Sequence, residues 1–467
     1  MAIQAKTSFT SGNLFRHVSV MAFTSSIGLM AIFAVDLIDI IFISMLGQES
    51  LAAAAGYAST LMFFASAVNI GLSIAAGALV AKAIGADNEV DAREYATSVA
   101  VISVIVGILI PIITLPNIDF LLSLVGATGQ VAEMAASYLW IILPTTLLSG
   151  MAMTAVAVLR AYGDANRAMY PSLAGAAVNA VFDPILIFTL GFGLEGAALA
   201  TVLARFVTML VALYPAIARY RAFAIPRPRC VMRDFGDAAK IAIPAVLGTV
   251  ATPVGAAIVT REMAQFGSDA VAGMAVINRM VPVVFAVVLA LSGAIGPIFG
   301  QNHGAGQHKR VREAFFDGLI FVAVYVLVMS ALLFLLREPI ADLFDATGMM
   351  RSLIFIYCGP LALAAFFNGA IFVSNASFNN LGHPMYSTWI NWGRSTLGTL
   401  PLVILGASIW GAHGVLIGQA IGGIIFAGIA VSLSMRMIDD PNRSPLKPKF
   451  LCPDERMQIM SNRCCRS

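Results

Sequence analysis

Charge is scarce in this chain. Asp, Glu, Lys and Arg make up 11% of its 467 residues, against about 25% in a soluble domain. Apolar residues reach 59% and the mean hydropathy is +0.87. That excludes an ordinary soluble fold. The net charge of +3 is too small to recruit nucleic acid. Alternating apolar and polar positions are missing, and the apolar runs are too long for a membrane β-barrel. Five cysteines (Cys230, Cys358, Cys452, Cys464 and Cys465) are too few and too scattered for a disulfide framework. Cys464 and Cys465 end a polar tail and read as free thiols, with lipidation the alternative. There is no GxxxxGK[ST] loop, so ATP is not the energy source. HExxH, CxxC and Ser-His-Asp arrangements are also missing, which argues against an enzyme. Asp36 and Asp39 form a lone DxxD, without the second acidic motif a metal-diphosphate enzyme needs. The first dozen residues are polar and no small-residue cleavage site follows a short apolar core, so the first span itself directs insertion.

What is abundant is long apolar sequence. Hydropathy predicts twelve spans, at 15–46, 52–82, 94–116, 131–159, 169–190, 196–218, 238–265, 271–302, 313–336, 351–379, 384–409 and 413–435. A helix needs about 20 apolar residues to cross a bilayer, so several of these tilt, bend or project. The fold class is therefore an all-α polytopic membrane protein. Basic residues set the orientation. With the N-terminus inside, 22 of the 28 Lys and Arg fall on the inner side. The outer loops hold Arg261, Arg337 and Arg351, and the spans hold Arg205, Arg279 and Arg394. Both termini are expected in the cytoplasm.

The chain also repeats itself. Shifting LSIAAGALVAKAIGADNEVDARE (72–94) by 219 positions places Leu72, Ser73, Gly77, Gly85, Ala86, Arg93 and Glu94 on identical residues. Further on, AMY (168–170) answers PMY (384–386), and Gly193 and Gly196 answer Gly411 and Gly414. The division expected is a cytoplasmic N-terminus (1–14), an N-lobe of six helices (15–218), a basic linker (219–237), a C-lobe of six helices (238–435) and a cytoplasmic tail (436–467). Six spans per half give both copies one orientation, related by an axis along the membrane normal. A cleft between such halves suits alternating access.

Two acidic positions stand out in that apolar background. Asp39 lies in MAIFAVDLIDIIFISML and Asp183 in AAVNAVFDPILIF. A charge at mid-bilayer costs roughly 2.5–3.5 kcal/mol on insertion scales, so intramembrane carboxylates are functional or paired. Asn179 and Asp183 are four apart and share a helix face. Pro184 weakens the backbone ladder beside them. Asp39 reads as a proton or cation site, against the plainer alternative of a carboxylate paired with a nearby Arg. Asp36, one turn away, is a possible accessory. Tyr138 and Thr201 taken alone read as structural, as an interfacial anchor and a helix-bonded hydroxyl. Arg394 reads as held by a structural partner, and Glu262 as solvated or locally paired. The prolines at 144, 244, 253, 282, 297, 360 and 401 read mostly as fixed kinks. Met and Phe, at 22 and 29, suit either a deformable pocket or a lipid-facing surface.

Residues 158–205, VLRAYGDANRAMYPSLAGAAVNAVFDPILIFTLGFGLEGAALATVLAR, together with DLIDIIFISMLGQESLAAA (36–54) and the glycine segments at 77–86 and 296–306, resemble the multidrug and toxic compound extrusion family. The resemblance runs from about residue 13 to 435. It implies two six-helix lobes in a V and export of cationic or amphipathic small molecules against inflowing H⁺ or Na⁺, with no cofactor. Within the family the chain resembles the DinF-like branch. That likeness implies a coupling cluster of Asp39, Tyr138, Asn179, Asp183 and Thr201, with Na⁺ as an alternative occupant at Asp39, Asp183 and Asn179. The NorM-like branch carries an acid in the seventh span, where this chain reads PAVLGTVATPVG (244–255), without a carboxylate. The setting implied is a bacterial inner membrane, with lipid around a monomer. A lipid-linked saccharide flippase of related architecture is the alternative. It would want several Arg or Lys in its cavity.

Overall fold

The computed structural model describes residues 8–46 and 49–440. Cys452, Cys464, Cys465 and most of the expected 436–467 tail lie outside the described residues, as does 1–7. Every regular element among the described residues is helical.

Among the described residues, dividing 385–439 at its kink gives twelve spans in order. The N-lobe holds α1 Leu14–Met45, α2 Glu49–Gly85, α3 Glu89–Thr114, α4 Gly129–Ala161, α5 Ala165–Thr189 and α6 Gly193–Ala218. The C-lobe holds α7 Pro228–Ala264, α8 Ser268–Val284 with Ala286–Gly304, α9 His308–Leu343 and α10 Gly348–Cys358 with Pro360–Leu381. Residues 385–410 form α11 and 411–439 form α12, divided where Gly411 takes φ 59°. α8 bends by 52° at Phe285, three residues after Pro282. The basic connection is shorter than composition suggests. Pro228 sits at the first helical position, where its missing N–H costs nothing, so 228–237 continue α7 rather than linking the lobes.

The structure pairs the repeated residues. Gly193 and Gly411, mates in the repeat, both take positive φ at the start of their helices. Gly85 and Gly304, also mates, meet the opposite lobe. A β-carbon on Gly85 would lie 2.0 Å from the Gln301 carbonyl oxygen, and one on Gly304 would lie 2.1 Å from that of Lys82. Only glycine allows this approach.

These contacts form a seam at the end of the bundle bearing the linker. There Arg233 of α7 donates to Glu94 of α3 at 2.6 Å and to Asp234 at 2.7 Å. Ser98 donates to Asp234 at 2.6 Å. The Gln301 amide joins Phe9 N (3.0 Å) to the Ala161 carbonyl (2.8 Å). α1 spans the two lobes. Its first half buries Leu14, Val18, Met21 and Ala22 against α8 and α9, and its second half runs along α5.

Candidate functional site

The site forms where α1, α4, α5 and α6 converge toward the end opposite the seam. Tyr138 lies nine residues into α4 and Thr201 eight into α6, roughly 12–14 Å from the ends of those helices at 1.5 Å per residue. Pro184 ends the regular part of α5, and a wider helical turn follows at Ile185–Thr189. That local break sits next to Asp183.

Asp183 is fully buried and Asn179 nearly so. The Asn179 amide donates to both Asp39 oxygens, at 3.0 and 3.3 Å. The Asp39 and Asp183 carboxyls are near enough to share a hydrogen bond once one carries a proton. Tyr138 lies beside Thr201 and faces both carboxyls from across the site. Thr201 also donates to the Ala197 carbonyl at 3.0 Å, the local bond expected of a helical threonine. The structure thus brings together all five residues of the expected cluster. Asp36 points elsewhere: its side chain is exposed, although it feels the charge of Asp39 one turn away.

Arg205 is the residue that sequence reading did not attach to this cluster. It lies one turn beyond Thr201, donates to Thr145 Oγ1 at 2.8 Å and faces Tyr138. The spacing of Thr201 and Arg205, four apart on one helix, was the available signal. Glu262, far from this site, is buried and accepts a local bond from Gln265 at 2.8 Å.

The oxygens set the chemistry. Both Asp183 oxygens and Asn179 Oδ1 are buried acceptors with no protein donor. Buried acceptors are nearly always satisfied. A proton shared between the carboxyls, or a small cation among the three residues, would satisfy them. Among the described residues no three His, Cys, Asp or Glu converge on a metal position. Two carboxylates and an amide suit H⁺ or a hard monovalent cation, since oxygen ligands favour hard ions.

A duplicated twelve-span bundle, with a polar site buried between helices of one half, fits a polytopic transporter. The MatE family model matches residues 25–185 and 244–405. The second match begins 219 residues after the first, the shift at which the sequence repeats. The chain belongs to this family of transporters. An FAD transporter from Shewanella oneidensis is 29% identical over 90% of this chain and 94% of its own length. The multidrug export protein MepA from Staphylococcus haemolyticus is 22% identical over 92% and 96%. A crystal structure of a mutant of the Vibrio cholerae MATE transporter VcmN superposes with a TM-score of 0.87, covering 91% of this chain and 97% of that one at 24% identity. The protein is a multi-pass membrane protein.

Proposed function

We propose that the chain is a secondary active exporter, carrying amphipathic and cationic small molecules outward in exchange for H⁺ or Na⁺. The DinF-like resemblance of its N-lobe supports this, as do relatives named as multidrug exporters. The observation that carries it is the set of donorless oxygens on Asp183 and Asn179 beside Asp39. Two neighbouring carboxylates do not both stay ionised in a low-dielectric site, so binding one ion changes the charge of the whole cluster.

α1 provides the coupling path. Its far half is held to α5 through Asp39 and Asn179, and its near half is packed into the C-lobe. Loading an ion on the pair removes the charge that orders Asn179 and Asp39, α1 shifts along α5, and a bound cation loses its counter-charge. The seam at Gly85 and Gly304 then opens as the lobes rock. The membrane potential contributes about 2.3 kcal/mol per charge per 100 mV. With both termini in the cytoplasm of a bacterial inner membrane, the site lies nearer the outer side, opposite the seam. The FAD transporter among the relatives extends the cargo to aromatic compounds bearing phosphates.

The test is efflux of a fluorescent cation from proteoliposomes holding the full chain, with the H⁺ and Na⁺ gradients collapsed separately. One collapse should stop efflux, and Asp39→Asn and Asp183→Asn should each cut it by about tenfold or more. Gradient-dependent efflux unchanged in both variants would remove the site. Lipid scrambling without efflux of any cation would favour the flippase.

A further inference from the structure

The acidic residues of the C-lobe lie toward the ends of its helices. Segments 238–261, 270–312, 318–337 and 346–438 contain no Asp or Glu. Two arginines nevertheless lie at mid-depth. Arg279 is eleven residues into α8 and Arg394 nine residues into α11, so each is roughly 14–16 Å from a helix end. No ion pair forms at either guanidinium among the described residues.

Arg394 sits within a layer of amides. Its Nη1 donates to Asn368 Oδ1 on α10. On the same two helices, Asn375 Nδ2 donates to Asn391 Oδ1 at 3.3 Å. Asn368 and Asn375 are seven apart on α10, and Asn391 and Arg394 three apart on α11, so each pair presents one face. α7 closes the layer with Gly248, where an added β-carbon would lie 3.1 Å from Asn391 Nδ2. Asn375 Oδ1 is buried and has no donor.

Arg394 precedes a break in α11, and a cation in a last helical turn commonly serves to neutralise the helix end. Here other groups close the break. Thr399 Oγ1 donates to the Arg394 carbonyl at 2.8 Å, Thr396 N to the Trp392 carbonyl at 2.9 Å and Gly398 N to the Gly393 carbonyl at 2.7 Å. The guanidinium reaches away to α10 instead. One bond to a neutral amide leaves this half-buried guanidinium without a protein counter-ion among the described residues. A guanidinium fork beside amide N–H groups matches a carboxylate or phosphate.

We infer that Arg394, with Asn368, Asn375 and Asn391, forms a C-lobe subsite for the anionic group, carboxylate or phosphate, of an amphipathic cargo. This deepens the transporter reading and rests on it for the word cargo alone. Binding to the subsite requires no gradient.

The probes are pyrene-butyrate, the neutral pyrene-butanol and the cationic pyrene-butylamine, which share one apolar body. Binding to the detergent-purified full chain is read by pyrene fluorescence. The wild type should bind the butyrate about tenfold more tightly than the butanol, the scale of one charge-assisted contact. Arg394→Gln should erase that preference, with amine binding changed less than about twofold, and Arg394→Lys should keep part of it. If Arg394→Gln fails to fold, Asn368→Leu and Asn375→Leu carry the same readout. Equal binding of butyrate and butanol by the wild type would overturn the inference, as would a preference that survives Arg394→Gln. Displacement of the butyrate by inorganic phosphate supports a site for soluble anions. Displacement by short-chain phosphatidylglycerol alone would assign the site to a lipid headgroup and overturn the cargo assignment. Butyrate binding that depends on Arg394, without gradient-driven efflux, would sink the transport reading and leave the anion site standing. Efflux without such binding would do the reverse.

Discussion

The two lobes descend from one repeated pattern yet hold different charged groups at mid-depth, a carboxylate pair in one and an arginine among amides in the other. In the N-lobe, Pro184 follows Asp183, and the carboxylates of α1 and α5 come together around Asn179. In the C-lobe, the corresponding proline, Pro401, follows Leu400, and the nearby polar group is Arg394 with its amides. A proline marks a change in helical geometry in both: Pro184 precedes the wider turn at Ile185–Thr189, and Pro401 opens the helical segment after the break in α11. The helical break supplies a place for chemistry, and the side chains decide its sign.

The contrast can be broken at its acidic side first. Asp183→Asn should reduce gradient-driven efflux by roughly tenfold or more, the scale expected when one member of a coupled pair is lost. Binding of a cation in the absence of a gradient should persist. Vesicle efflux and equilibrium binding, measured side by side, check this.

A smaller effect separates the two arginines. Arg205→Gln should slow gradient-driven efflux about three- to tenfold, because Tyr138 loses a charge that orients it, a contact worth about 0.6–1.4 kcal/mol. Pyrene-butyrate binding should stay unchanged in that variant. A loss of butyrate binding in Arg205→Gln as large as in Arg394→Gln would erase the distinction between the lobes.

Pro184→Ala restores an N–H to the ladder of α5. Efflux should fall a few-fold, roughly 1 kcal/mol on the transport barrier, and hydrogen exchange across 180–190 should slow. Faster exchange there would contradict the role given to the proline.

The smallest effect concerns matching turns at the linker end. Gly163 and Gly382 both take positive φ between paired helices, but Asp164 follows the first and His383 the second. Burial opposes the charge of Asp164. The Tyr220 hydroxyl, 2.6 Å away, and the Arg167 side chain and backbone N–H prevail and hold its carboxyl below the usual range. A carboxylate held low stabilises the fold above its unfolded value, and that contribution fades as pH falls through the folded value. Asp164→Asn should therefore cost about 1–2 kcal/mol near neutral pH. The gap in melting temperature between variant and wild type should narrow below about pH 4. A gap constant with pH would show that the charge contributes nothing.

Much of the architecture was legible in the chain. Span count follows from apolar length, because a bilayer demands about 20 residues per crossing. Duplication showed in the glycines at 85 and 304, since close helix approach leaves no choice of residue. Asp39 and Asp183 stood out because a carboxylate among Ile, Leu and Phe needs a reason. The five N-lobe residues were grouped through family resemblance, whereas spacing alone related only Asn179 to Asp183. Composition cannot distinguish a basic loop from a basic helix extending past the membrane, which is why residues 228–237 read as connection although they are helical and continuous with α7.

Sequence alone therefore determined what must be buried, how many times the chain crosses, and which polar residues require a partner. It did so because hydropathy and helical period are local properties. The tertiary structure decided which partner each found: Asn179 on Asp39 rather than on Asp183, Arg205 beside Tyr138, and Arg394 among amides with no carboxylate. Those pairings join residues 26 to 140 positions apart, and only the packing of whole helices sets such distances.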